Sequence, residues 1–111
     1  MPRKVAPATD VDDRDPYSGM IRLHVLHHAL REPIFGLGML EELARHGYRF
    51  SPGTFYPLLH ALERKGYLRS SQIRDGKSIR TLYRATPRGR AALESAKSKI
   101  RELFSELVEG G

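Results

Sequence analysis

The chain has 111 residues, enough for one domain, with little left over for a second domain or a deep substrate cavity. It contains no cysteine, which excludes disulfides and cysteine nucleophiles, and it has neither a secretory signal nor an apolar run of membrane-spanning length, so we expect a cytoplasmic protein with no membrane partner. The formal net charge of +6 favours an anionic partner such as nucleic acid.

Three helices are expected in the N-terminal half, after an arm over residues 1–16 whose prolines and mixed charges predict flexibility. Apolar residues at helical spacing predict a mostly buried first helix from Met20 to Arg31, ended by Pro33. A second helix is predicted from Gly36 to His46.

The third helix carries the pattern expected of a DNA-reading element. Ser51 is a favoured N-cap and Pro52 a favoured first residue, and the helix is predicted to run to Lys65. One arc is apolar and must face the core: Phe55, Leu58, Leu59 and Leu62. Tyr56, His60 and Arg64 lie on the opposite arc, as a helix in a major groove requires. The alternatives are a half-buried Tyr56 and a solvated Arg64.

A β-hairpin is predicted over residues 67–85, because Asp75-Gly76 lies between two extended segments. Arg74, Lys77 and Arg80 cluster near its tip and are predicted to contact backbone phosphates. Residues 45–90 hold eleven Lys or Arg against two acidic residues, a net charge of +9. A merely solvated surface is the alternative, but an excess this one-sided favours an anion-binding face.

A long final helix is predicted from the Thr86-Pro87 cap to about Val108. Five of its apolar residues repeat at alternating spacings of three and four: Leu93, Ala96, Ile100, Leu103 and Leu107. Phe104 and Val108 widen this apolar face. This heptad pattern predicts a homodimer interface, and the alternative is a helix packed on its own domain.

The order helix, helix, helix, hairpin, helix predicts a mainly α fold with a small β-hairpin. We expect a winged helix-turn-helix domain over residues 17–86 and a C-terminal dimerisation helix and tail over residues 87–111. A generic small α+β domain is the alternative.

Several short segments of the sequence resemble the PadR family of bacterial transcriptional regulators. The single closing helix and the histidine-rich first helix resemble the short-form members of that family. The short segments are Gly-Tyr at 47–48, Ser-Pro-Gly-Thr-Phe-Tyr-Pro-Leu-Leu at 51–59, Leu-Glu-Arg-Lys-Gly-Tyr-Leu at 62–68 and Tyr-Arg-Ala-Thr-Pro-Arg-Gly at 83–89. The resemblance covers about residues 20–108. It implies a winged-helix homodimer that binds palindromic double-stranded DNA operators, usually as a repressor, with Ser51, Thr54 and Tyr56 near the DNA. Gly36-Leu37-Gly38 departs from the Gly-Tyr-Glu often found in the family, so a tyrosine contact is missing.

The first helix could bind a metal ion, because His24 and His28 are one turn apart and His27 is adjacent. No cofactor is required, but imidazoles suit Zn²⁺, Ni²⁺ or Cu²⁺ as an effector. The alternative is structural histidines near the dimer contact. The family resemblance suggests a rival effector, a small planar aromatic compound in an apolar gap at the dimer interface.

Enzyme motifs are absent from the sequence: there is no glycine-rich phosphate loop, no paired carboxylates at a plausible cleft and no serine elbow. The sequence therefore predicts a non-enzymatic, sequence-specific transcriptional regulator, a repressor released by a small effector. A non-specific nucleic-acid-binding or scaffold module is the alternative.

Overall fold

The computed structural model describes residues 9–10 and 16–110. Its elements in chain order are β1 (Thr9–Asp10), α1 (Tyr17–Arg31), β2 (Ile34–Phe35), α2 (Gly36–Arg45), β3 (Tyr48–Arg49), α3 (Pro52–Arg64), β4 (Leu68–Asp75), β5 (Ser78–Ala85) and α4 (Pro87–Leu107). The predicted mainly α fold with a hairpin is confirmed. Apart from β1 and Pro16, the predicted flexible arm lies outside the described residues.

The hairpin belongs to a three-stranded antiparallel sheet of order β2-β5-β4. The third strand, β2, was not predicted; Ile34 pairs with Tyr83 and Phe35 with Leu82. Two residues are too few to show strand periodicity, so only the pairing partner identifies this strand. A second, two-residue parallel pairing joins β1 to β3.

The hairpin turn is displaced by one residue from the prediction. Asp75 pairs with Ser78, so the loop residues are Gly76 and Lys77 rather than Asp75 and Gly76. Gly76 has a φ of +65°, whereas no non-glycine residue in the described chain has a positive φ. A glycine with positive φ followed by a residue with negative φ is typical of a type II′ turn, which matches the twist of the two strands.

The predicted caps fix the helix ends. The Ser51 side chain accepts a hydrogen bond from the Thr54 backbone N–H, and Thr86 accepts one from Gly89 at 3.0 Å. Gly47 and Gly66 follow α2 and α3 with φ of +89° and +81°, values that favour glycine. The one clear difference is that α1 begins at Tyr17, three residues before the predicted start.

One core lies between α1, α2, α3 and the sheet. The predicted apolar arc of α3 is fully buried within it, as are residues of α1 and α2: Ile21, Val25, Leu43, Phe55, Leu58, Leu59 and Leu62. Leu93 of α4 is only 8% exposed, so its own domain covers a residue that the sequence assigned to the dimer interface. α4 packs on α1 and β5 within the single chain, and Leu93 is a residue of α4 that this fold covers.

The start of α4 is attached closely to the turn after α3. The Thr86 hydroxyl donates a hydrogen bond to the Gly66 carbonyl at 2.5 Å, and Gly89 lies so close to the Tyr67 carbonyl that a Cβ would overlap it. None of the helices within residues 16–110 combines the length and apolar character needed to cross a membrane.

Candidate nucleic-acid interface

The N-terminus of α3 presents its first turn to solvent. Ser51 Oγ lies 3.2 Å from the Thr54 backbone nitrogen and 3.1 Å from the Thr54 hydroxyl, and Ser51, Pro52 and Gly53 are exposed. No acidic side chain occupies this first turn. The positive end of the helix dipole is therefore uncompensated, and small hydroxyl groups surround it, which suits a phosphate group.

The outer face of α3 is only partly as predicted. His60 and Arg64 are exposed, opposite the buried apolar arc. Tyr56 is half-buried and packs against the core, so the predicted fully exposed stripe is wrong at that position. This outcome is the alternative considered for Tyr56 from the sequence.

Gly36 determines how Tyr56 sits. A Cβ at position 36 would lie 2.5 Å from Cε1 of the tyrosine ring and 2.9 Å from its hydroxyl oxygen, so only glycine leaves room for the ring. Gly36 is the first residue of α2 and directly follows β2. The Tyr56 ring, which belongs to α3, is thus held against the start of α2.

The three predicted wing cations are not equivalent. Arg74 and Lys77 are exposed beside the turn. Arg80 is half-buried: its guanidinium lies 3.8 Å over the Phe35 ring and donates a hydrogen bond to Asp75 at 3.3 Å. Cation–π contact and ion pairing hold this side chain on the wing, so Arg80 is less available to backbone phosphates than Arg74 and Lys77.

A cleft of about 370 Å³ separates the outer face of α3 from the wing. Tyr56 and His60 line one wall, and Ile79 and Arg80 line the other. The structure therefore brings residues predicted on two separate elements to one concave surface, bordered by the exposed apolar side chain of Leu37.

Glu63 ties the helix to the wing, a role that the sequence analysis missed. Its Oε2 accepts hydrogen bonds from the Ser70 backbone N–H at 3.1 Å and from the Ser70 hydroxyl at 2.5 Å. Burial, and then the Glu63 carboxylate, raises the pKa of Tyr83 nearby. The available signal was its isolation, since Glu63 is one of two acidic residues among eleven cations in residues 45–90.

Three histidines meet where α1 passes the end of α2. One potential ligand nitrogen from each of His24, His28 and His46 lies within 4.8 Å of the others. His24 and His28 are the predicted pair, but the third member is His46, which follows α2, and not His27. His27 is exposed and lines the groove between α1 and α4.

Two members of the histidine cluster, His24 and His28, have lowered pKa values. Burial, and then the neighbouring His46, lowers the pKa of His24. Burial, and then His27, lowers the pKa of His28. Glu42 lies beside the cluster, with its Oε1 3.4 Å from Nε2 of His46, and also pairs with Arg45. The lowered pKa values of His24 and His28 favour their neutral forms, whose lone pairs can bind a metal ion.

The second half of α4 presents an apolar surface. Exposure of its apolar side chains rises from 43% at Ile100 to 73% at Leu107. With α1 they form a groove of about 570 Å³, lined by Met20, Leu23, His24, His27, Ile100, Leu103, Phe104, Leu107 and Val108. All the predicted interface residues except Leu93 and the half-buried Ala96 are thus exposed in a single chain.

Known proteins match this chain over most of its length. The family model for the PadR-like family of transcriptional regulators matches residues 25–95. Transcriptional regulator Rv3488 of Mycobacterium tuberculosis is 50% identical over 91 residues, which cover 81% of this chain and 84% of that protein.

Solved structures agree with this match. A PadR family transcriptional regulator of Eggerthella lenta is 32% identical, with a TM-score of 0.73 over 82% of this chain and 80% of its own. A Streptococcus transcriptional regulator has a TM-score of 0.75 at 22% identity, over 88% of this chain and 97% of its own, and at that identity shows the shared fold alone.

Proposed function

The chain belongs to the PadR-like family of transcriptional regulators, and we propose that it binds a specific palindromic duplex as a homodimer and acts as a repressor released by a small effector. We place it in the cytoplasm, with access to DNA. Its family consists of regulators rather than enzymes, so we propose no catalytic step.

The observation that carries the proposal is the surface shared by α3 and the wing. It combines an open helix N-terminus at Ser51, the exposed side chains His60 and Arg64 on α3, and the exposed Arg74 and Lys77 at the wing tip. Phosphate contacts from the cap and the wing would set the register, and the α3 side chains would read base edges in the major groove.

The apolar groove between α1 and α4 supports the homodimer. Its exposed large side chains form one continuous apolar face, which a monomer seldom leaves open to water. The occupant we propose is a second copy, because an α4 helix with an apolar stripe can lie in the groove of its partner while the partner's helix lies in its own. PadR-like regulators are typically dimeric. A twofold pair would place two α3 helices about 34 Å apart, one turn of DNA.

Two classes of effector would bind at different places, a metal ion at the histidine cluster and an aromatic compound at the dimer interface. The histidine cluster offers three imidazole ligands for a divalent metal ion within one chain. A planar aromatic compound would instead need an apolar gap left between two α1–α4 faces. The first class is supported by a defined set of donor atoms, and its consequences follow in the next subsection.

The proposal is tested by selecting bound sequences from random duplex DNA and footprinting the result. We expect a palindrome protected by a dimer. Binding without sequence preference would instead support the non-specific nucleic-acid-binding or scaffold module.

Arg64→Ala then tests the reading role of α3. We expect altered base preference at one position of each half-site, worth about 1–3 kcal/mol if the guanidinium makes a bidentate base contact. Lys99→Ala is the matched control, since it removes one exposed cation from α4, away from α3 and the wing. An unchanged preference in Arg64→Ala would assign base reading to other residues.

A further inference from the structure

We propose that His24, His28 and His46 bind one divalent transition-metal ion per chain, with Zn²⁺ as the reference ion, and that this ion clamps α1 to the turn after α2. The site lies within a single chain and uses a residue, His46, from outside the histidine-rich helix. A third ligand from the partner chain is therefore unnecessary.

The geometry is close to that of a metal site. His24 and His28 are one turn apart on α1, with nearly parallel rings whose centroids are 6.5 Å apart. The His46 ring approaches from the end of α2, with its centroid 5.2 Å from that of His24. A tetrahedral ion with Zn–N bonds of about 2.0–2.1 Å holds its ligand nitrogens about 3.4 Å apart, so modest side-chain rotations bring the three nitrogens from within 4.8 Å to this spacing.

The surroundings suit an imidazole-bound cation. Three imidazoles without a thiolate select borderline metals such as Zn²⁺, Ni²⁺ or Cu²⁺. Glu42 lies against His46 and would orient the ring and add negative charge beside the ion, as carboxylates behind metal-bound histidines commonly do. Tyr48 packs edge-on against the His24 ring at 5.9 Å and limits its motion. His46 is exposed, so water could complete the coordination of an ion bound there.

The clamp would act on the DNA-reading helix through the chain that leads to it. His46 is directly followed by Gly47 and β3, and this short segment ends at Ser51, the cap of α3. His24 also lines the α1–α4 groove, so an ion there would bind a residue of the proposed dimer surface as well as His46, which the chain joins to α3. The regulatory consequence rests on the proposed function: an ion changes operator affinity only if it binds the DNA-bound arrangement with a different affinity.

Metal binding is tested first without DNA, by calorimetry with Zn²⁺ and by visible absorption with Co²⁺ on the chelator-treated full chain. We expect one ion per chain and a tetrahedral Co²⁺ spectrum. Glu42→Gln should weaken binding about 10–100-fold, and His46→Gln should weaken it more. His27→Gln is the matched control and should bind as the wild type does. Equal losses in His27→Gln and His46→Gln would mean diffuse binding by a histidine-rich surface and would overturn the site.

The clamp has its own readout in thermal unfolding. Saturating Zn²⁺ should raise the melting temperature of the wild type and of His27→Gln but not of His46→Gln, because a ligand that binds only the folded state stabilises it. An equal rise in all three proteins would contradict the clamp.

Operator affinity, measured with and without Zn²⁺ on a selected duplex, tests the effector role separately. We expect at least a tenfold change in the wild type and none in His46→Gln. Metal binding with unchanged operator affinity would overturn the effector role, whereas a failure to bind any specific duplex would overturn the proposed function and leave the metal measurements standing.

Discussion

Phe104→Ala measures the strength of the proposed dimer contact. The Phe104 side chain is 52% exposed in one chain and lines the α1–α4 groove. A phenylalanine buries about 150–250 Å² when fully covered, so about 100 Å² of each ring is available to a partner. At about 25 cal/mol per Å², this surface is worth about 2.5 kcal/mol per ring.

Phe104→Ala should lose slightly less free energy of dimerisation than the full burial of the ring contributes, because alanine keeps the Cβ. We expect about 2 kcal/mol per chain, and about 4 kcal/mol per dimer since twofold symmetry repeats the change. At 1.4 kcal/mol per factor of ten, the dissociation constant of the dimer should rise about a thousandfold. Sedimentation velocity over a concentration series measures this shift directly.

Ile73→Ala is the matched control for the dimer measurement. Ile73 is 40% exposed on β4 and does not line the groove, so its truncation should leave the dimer unchanged. Neither side chain belongs to the buried core of the single chain, so both variants should remain folded, which circular dichroism checks. If the two variants dimerise equally tightly, the α4 face is not the interface and the reasoning from exposed apolar area fails.

Two further predictions concern the DNA-binding surface. Arg74→Ala and Lys77→Ala should weaken binding to all duplexes about equally and reduce the slope of log affinity against log salt by about one unit per lost phosphate contact, hence about two per dimer; a changed base preference would contradict this positioning role. Gly36→Ala should displace the Tyr56 ring and lower operator affinity in a gel-shift titration, whereas Gly38→Ala, whose Cβ meets nothing within 4 Å, should bind normally and stabilise α2 by up to about 1 kcal/mol. Equal affinities of the two glycine variants would show that the position of Tyr56 is irrelevant to binding.

Local patterns in the sequence were enough for the helices, the hairpin and the buried face of α3. The Ser51 and Thr86 caps act within three residues, and Gly47 and Gly66 end helices through their own backbone freedom. An apolar arc repeats at the helical period whatever it packs against. Caps, helix-ending glycines and apolar arcs can be predicted without knowledge of the fold, because their physical causes lie within a few residues of the chain.

Side-chain environments required the tertiary structure. The sequence predicts that Arg80 is an exposed cation of the wing. In the fold, β2 pairs with β5, and this pairing places Phe35 beneath the Arg80 guanidinium. The helical spacing predicts an exposed Tyr56 that contacts DNA, but in the fold Gly36 packs against its ring. Leu93 continues the heptad of α4, yet the domain covers it and leaves only the later turns open.

The histidine cluster shows the same division within one site. Helical spacing was enough to predict that His24 and His28 share a face of α1, because residues four apart are neighbours on any helix. The sequence prediction added His27 because it is adjacent in the chain and did not consider His46, since the neighbours of a single imidazole depend on where distant segments pass. His46 completes the cluster because α1 packs beside the end of α2, and only this tertiary contact brings ligand nitrogens from distant parts of the chain within 4.8 Å of one another.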